Sequence, residues 1–187
     1  KNCIYCMAEE LNEELSLRKM TKDICNYFSN EMFDKFKDWE SLFTYVGKNA
    51  ETERLIFVID EFPYLAGRNR SILSTLQKVI DNYLKDTKLM IILCGSSISF
   101  MEKDVLAYKS PLFGRRTAQM EIRPLDYFDA HKIFKNYSVE DMILLYSVVG
   151  GTPHYLNILN PNISIEDNIK SYVLDKTGYL YDEPINL

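Results

Sequence analysis

No apolar run in the 187-residue chain approaches the roughly 18 residues that a membrane helix needs, so a soluble protein is expected. Glu9, Glu10, Glu13 and Glu14 interrupt any apolar core near the start, so these residues are not expected to form a signal peptide. Cysteine is scarce. Four irregularly spaced cysteines cannot form a disulfide scaffold in a chain this long, and a reduced, cytoplasmic setting fits best. Positive charge is in deficit: 22 Lys and Arg against 27 Asp and Glu leave a net charge of -5 and a pI near 5.2. That balance gives no electrostatic footprint for wrapping nucleic acid. Zinc chemistry also lacks its ligands. Cys3-x-x-Cys6 has zinc-knuckle spacing, but residues three apart on a strand face opposite sides, and Cys25, Cys94, His131 and His154 are scattered. There is no internal repeat and no low-complexity tract.

What is present is an ordinary globular balance, 47% hydrophobic and 26% charged, over a length sufficient for one domain and a little more. Strand-like and helix-like segments alternate. Asn2 to Met7 reads as a short buried strand, and Leu11 to Phe28 as a helix with Leu11, Leu15, Ile24 and Phe28 on broadly one side. Trp39 to Val46 is a second helix, with Gly47 as its stop. Leu55 to Ile59 and Leu89 to Leu93 are unbroken apolar runs, too short for helices. Such runs suit central strands of a parallel sheet, buried on both faces. Between them Ser71 to Leu84 is helical, with Ile72, Leu76, Val79, Ile80 and Tyr83 inward. Ile98 to Tyr108 is expected to be helical and Thr117 to Ile122 a weaker strand. From Pro124 onward only helices are expected, over Leu125 to Phe134, Ser138 to Val149, Pro153 to Leu159 and Ile165 to Leu174. The expected organisation is an α/β sheet layer over 1–123 and a helical unit over 124–187. Lys1 runs straight into an apolar stretch and a new element is expected to begin at Pro184, so the chain reads as a fragment at both ends.

Four places could carry chemistry. Asp60 and Glu61 stand at the carboxyl end of an apolar strand, where open α/β sheets bind ligands. One can hold Mg²⁺ through its water shell while the other orients and deprotonates an attacking water. The plain alternative is a solvated acidic turn. About thirty residues later a second apolar strand ends in Cys94-Gly95-Ser96-Ser97. Here Gly95 lets backbone approach closely and either serine can supply a hydroxyl to a phosphate, or else cap the helix that follows. Ser110-Pro111-Leu112-Phe113-Gly114-Arg115-Arg116 offers a guanidinium for developing charge, or simply solvated surface. Gly150-Gly151-Thr152-Pro153-His154-Tyr155-Leu156 makes a sharp turn with proline set to open a helix, which a helix-turn-helix corner explains without any ligand.

Taken in this order and spacing, the four resemble the archaeal-type ATPase family of the AAA+/STAND branch of P-loop NTPases. Leu55 to Phe62 looks like its Walker B strand and Leu93 to Ser97 like its sensor 1 strand end. Leu112 to Arg115 is similar to its Gly-Arg motif, Gly150 to Leu156 to its lid motif, and Ile4-Tyr5 to its second strand. The resemblance implies a P-loop NTPase, AAA+-like parallel sheet core with a small helical lid, using ATP and Mg²⁺. It implies Asp60 as metal anchor, Glu61 as base, Ser96 as phosphate sensor and Arg115 as charge stabiliser. Pro153 would lie near the adenine, with Ser97 and Arg116 as further nucleotide contacts.

One element of the family is missing. Its phosphate-binding loop is Gly-x-x-x-x-Gly-Lys-Ser/Thr, whose amides and lysine cradle the phosphates. Gly47-Lys48 is a decoy, because Leu42 stands five before Gly47 and Asn49 follows the lysine. The loop is expected just upstream of Lys1, and the isolated chain is expected to bind ATP poorly and hydrolyse it negligibly. The loop strand would lie between Leu89–Leu93 and Thr117–Ile122, so self-association or strand exchange at that gap is expected. Family members often carry a further C-terminal region of winged-helix or nuclease-like character. That leaves a DNA-related role open for the parent and unsupported by these residues. The alternatives are a non-catalytic NTPase-fold scaffold or, more weakly, a helical DNA-binding module over Tyr137 to Leu159.

Overall fold

The computed structural model describes residues 2–29 and 36–183. The chain divides into two compact units, Lys1–Gln119 and Met120–Leu187. The element expected to begin at Pro184 lies outside the described residues.

The first unit is built on a parallel sheet of order β1-β2-β3, from β1 (Cys3–Met7), β2 (Leu55–Asp60) and β3 (Leu89–Leu93). The register sets Tyr5 opposite Val58 and Phe57 opposite Ile91. Burial alternates along these strands, so the expectation of strands covered on both faces is corrected. Ile4, Cys6, Leu55, Phe57 and Ile59 are buried on one face, whereas Tyr5, Met7 and Met90 are exposed on the other. Among the described residues β3 pairs only with β2, so its far edge carries unpaired backbone groups.

Helices cover the buried face. α1 (Glu13–Tyr27) starts at Asn12, whose side chain accepts from the Leu15 N–H at 2.9 Å, with Glu13 and Glu14 favourably placed in the first turn. Its inner face is Met20, Thr21, Ile24 and Cys25, while Leu15 is exposed, contrary to the expected stripe. α2 (Trp39–Lys48) is capped by Asp38, which accepts from the Ser41 N–H at 2.7 Å. Gly47 does not stop it. The glycine is buried inside the helix, against Leu84. Trp39 stacks on Phe43 at 6.0 Å, and its Nε1 is the one buried side-chain nitrogen or oxygen without a hydrogen-bond partner among the described residues. α3 (Phe62–Arg68) follows β2 directly, and α4 (Ser71–Val79) widens into a π-helical turn over Ile80–Leu84. The wider turn slips the phase of the apolar stripe, burying Leu84 and leaving Tyr83 half exposed instead of inward.

After β3, the expected helix Ile98 to Tyr108 is shorter: α5 (Ile98–Phe100) and a π-helical turn, Met101–Val105. The expected strand Thr117 to Ile122 does not form. Residues 117–126 have no regular structure, and Met120 and Ile122 are 82% and 83% exposed. A polar extended segment with no hydrogen-bonded neighbour has nothing to hold it in a sheet.

Every regular element among the described residues of the second unit is a helix: α6 (Tyr127–His131), α7 (Val139–Val149), α8 (Pro153–Ile158) and α9 (Ile165–Asn168), the last running into a π-helical turn over Ile169–Leu174. Asp126, Ser138 and Ser164 cap three of them through side-chain oxygens. Phe134, Met142, Leu145 and Leu156 fill the centre. Asn168, fully buried, donates to the Tyr137 hydroxyl at 2.6 Å and to the Asn160 carbonyl at 2.8 Å, and accepts from the Asn160 N–H at 2.9 Å. Both glycines of the α7–α8 corner are required. Gly150 sits at φ 64° and ψ -157°, a conformation open essentially to glycine alone, and a Cβ on Gly151 would lie 1.8 Å from the Leu125 carbonyl oxygen.

Candidate functional site

The carboxyl ends of the three strands meet at one edge of the sheet, and the hydrogen-bond ladder continues past them. Ala8 N–H donates to the Asp60 carbonyl at 2.8 Å, Cys94 N–H to Ile59 at 3.1 Å, and Phe62 N–H to Cys94 at 2.8 Å. That ladder fixes the backbone on both sides of Glu61, which turns the chain from β2 into α3 in the left-handed region, φ 49° and ψ 40°. A non-glycine residue there costs about 1 kcal/mol or more. Although it occupies the cap position of α3, the Glu61 side chain caps nothing. Its Oε2 accepts instead from the Ser96 hydroxyl at 3.1 Å and the Ser96 N–H at 3.3 Å. Gly95 permits this approach, since a Cβ there would stand 2.3 Å from Pro63 Cδ and 2.6 Å from its Cγ.

Asp60 ends β2 on the open face. One carboxylate oxygen accepts from the Glu61 N–H at 2.9 Å and the other from the Tyr5 hydroxyl at 2.5 Å. Tyr5 reaches it because register places it opposite Val58, one same-face step before Asp60. The Tyr5 hydrogen bond holds the Asp60 carboxyl below the ordinary aspartate value, and Asp60 in turn raises the Tyr5 phenol. Cys94 completes the cluster. Its thiol donates to the Ile59 carbonyl at 3.8 Å, and burial first, then the neighbouring Asp60 carboxylate, pushes it up to about 11.

Of the residues singled out in the sequence, Asp60, Glu61 and Ser96 come together. Ser97 precedes α5 without a side-chain capping bond. Arg115 is engaged elsewhere: its Nε and Nη2 donate to Asp81 at 2.8 and 2.6 Å, and its Nη1 donates to the carbonyls of Pro111 and Phe113. Arg116 donates to the Leu106 carbonyl at 3.2 Å. Pro153 opens α8 in the second unit. Cys3 is exposed and Cys6 buried, on opposite faces as strand geometry demands. Two participants escaped sequence reading, Tyr5 and Asp81. The strand register would have pointed to Tyr5, whereas nothing local marks Asp81 as a partner for Arg115.

Among the described residues no three His, Cys, Asp or Glu side chains converge as a metal cage. A single accessible carboxylate at a strand end fits Mg²⁺ all the same, because that ion keeps several waters and takes the rest of its shell from phosphates. No described helix is long and apolar enough to cross a membrane.

Comparison with known proteins identifies the family and the fold. A family model described as an ATPase domain predominantly from Archaea matches residues 7–159. An uncharacterized protein of Methanocaldococcus jannaschii is 35% identical over 157 residues, covering 79% of this chain and 34% of that protein. A second uncharacterized protein of the same organism is 45% identical over 56 residues, 30% of this chain and 54% of that one. The chain therefore spans about a third of the first relative and matches about half of the second. Among solved structures, the Walker-type ATPase of Pyrococcus abyssi shares the fold, with a TM-score of 0.53 and 19% identity over 84% of this chain and 54% of that one. The α/β sheet with carboxylates at its carboxyl edge is thus the core of a P-loop ATPase fold, and the chain belongs to the family of ATPase domains found predominantly in Archaea.

Proposed function

We propose that this chain supplies the Mg²⁺- and water-handling edge and the helical lid of a cytoplasmic, AAA+/STAND-type ATP hydrolase that couples nucleotide state to conformational change. The observation that carries the reading is the Asp60–Glu61–Ser96 constellation at the carboxyl ends of β2 and β3. Asp60 provides the carboxylate for the metal's shell, and Mg²⁺ supplies positive charge against phosphate oxygens. Glu61 orients an attacking water and accepts its proton. Ser96 offers an N–H and an O–H, the donors a terminal phosphate requires, and both are held by Glu61. Phosphate at Ser96 would compete for those donors and release Glu61 toward water. Arg115 would exchange Asp81 for phosphate, with Arg116 and Ser97 as further nucleotide contacts.

No Gly-x-x-x-x-Gly-Lys-Ser/Thr occurs in the 187 residues, so the isolated chain should bind ATP poorly and turn it over negligibly. A phosphate-loop strand, from the same protein or from a second copy, would add at the free β3 edge. In a protein carrying both parts, Glu61→Gln should retain ATP binding and lose turnover by about 10²-fold or more. Unchanged turnover overturns the assignment.

A second reading, a non-catalytic NTPase-fold scaffold, is favoured by the absence of Gly-x-x-x-x-Gly-Lys-Ser/Thr from the chain and by the four hydrogen bonds that occupy Arg115. A Gly-Lys-Ser or Gly-Lys-Thr directly upstream of Lys1 in the parent protein decides for the ATPase.

A further inference from the structure

Asp60 receives two hydrogen bonds of different permanence. The Glu61 N–H is backbone, fixed by the ladder that passes on both sides of the corner, and cannot leave Oδ1 unless the corner itself moves. The Tyr5 hydroxyl lies at the tip of a side chain that is 58% exposed on the open face of the sheet, and it leaves Oδ2 by rotation about its own side-chain bonds. Oδ2 is therefore the oxygen that can be vacated. Tyr5 also has no need of this partner, since an exposed phenol finds water at little cost. The neighbouring groups do not compete for the position: Glu61 is turned to Ser96, and the Cys94 thiol is a weak donor.

We propose that Tyr5 is a place-holder for the cation. Its hydroxyl gives Oδ2 of Asp60 the same kind of donor that a water in a cation's shell gives, holds the carboxylate oriented and ionised while no cation is present, and departs when one arrives. Tyr5 is thus a positioning residue that sets a threshold for metal entry, and its release passes the state of the metal site to β1. The inference rests on reading Asp60 as the metal anchor.

The test is a titration of the full chain, labelled with ¹⁵N and with ¹³C at the tyrosine Cζ, by Mn²⁺ and by Mg²⁺. Mn²⁺ should broaden the amides of Glu61 and its neighbours saturably, and Asp60→Asn should abolish that broadening. Tyr5→Phe removes the competing donor and should lower the Mn²⁺ Kd by about three- to tenfold, the range expected for an exposed hydrogen bond to a charged group. In the unmodified chain Mg²⁺ should shift the Tyr5 Cζ resonance along the same saturation curve, a readout that needs no variant. An unchanged or raised Kd in Tyr5→Phe, or a Tyr5 resonance that ignores Mg²⁺, overturns the place-holder while leaving Asp60 as anchor. Broadening absent from this edge, or indifferent to Asp60→Asn, overturns the anchor and the inference together.

Discussion

Cys94 shows how closely the site residues feel one another. Its thiol is only partly exposed, and burial together with Asp60 pushes it up to about 11. At pH 8 roughly one molecule in a thousand then carries the thiolate that reacts with alkylating agents. Iodoacetamide at pH 8 should therefore label the exposed Cys3 well before Cys94, and the Cys94 rate should climb about tenfold per pH unit until near 11. Asp60→Asn removes the carboxylate that opposes ionisation and should accelerate Cys94 labelling, read by peptide mass spectrometry. Equal labelling of Cys3 and Cys94 at pH 8 would contradict the arrangement. The left-handed Glu61 belongs to the same cluster, since that backbone turn lets its carboxylate reach back to Ser96 on the neighbouring strand.

Elements were legible in the sequence where a single physical cause fixes them. The apolar runs at Leu55 and Leu89 are strands because nothing else buries so short a β-branched run. The serine and aspartate caps begin helices within a residue or two of where their side chains demand. Legibility failed where tertiary partners decide. The π-helical turn at Ile80–Leu84 shifts which side of its helix faces the core, and Thr117 to Ile122 alternates like a strand but has no neighbour to pair with. Asp60 and Glu61 could be picked out because strand ends have a known chemistry. The commitment of Arg115 to Asp81 could not, because it joins residues 34 apart. That pair has its own pH signature. Arg115 holds the Asp81 carboxyl below the ordinary aspartate value. Its contribution to order is therefore complete above that ordinary value and disappears as pH falls through the depressed one. Asp81→Asn should remove this acid-dependent step and speed amide hydrogen exchange in the 110–116 loop at neutral pH. Exchange unaltered by the substitution would mean that the loop is held by Pro111 and Phe113 carbonyl contacts alone.

At the scale of the molecule, the first unit presents a half-covered sheet whose outer strands, β1 and β3, each pair on one side only among the described residues, and such edges template association. Sedimentation of the isolated chain should show concentration-dependent self-association. Met90→Lys, which sets a charge on the exposed face of the edge strand, should shift the equilibrium toward the 21.9 kDa monomer. A monomer at all concentrations with a cooperative melt would show that this edge is tolerated as it stands. The two units also differ in what light can report. The chain holds one tryptophan, and it lies in the first unit, sealed against Phe43 with its indole N–H lacking an acceptor among the described residues. An indole so shielded from water emits toward the blue, and its emission moves red only when the sheet unit opens. The second unit is silent in that channel yet contributes much of the helical circular dichroism. Melting the chain while recording both signals therefore sets the opening of the sheet unit, read by the tryptophan, against the loss of helix from both units, without a label or a mutation.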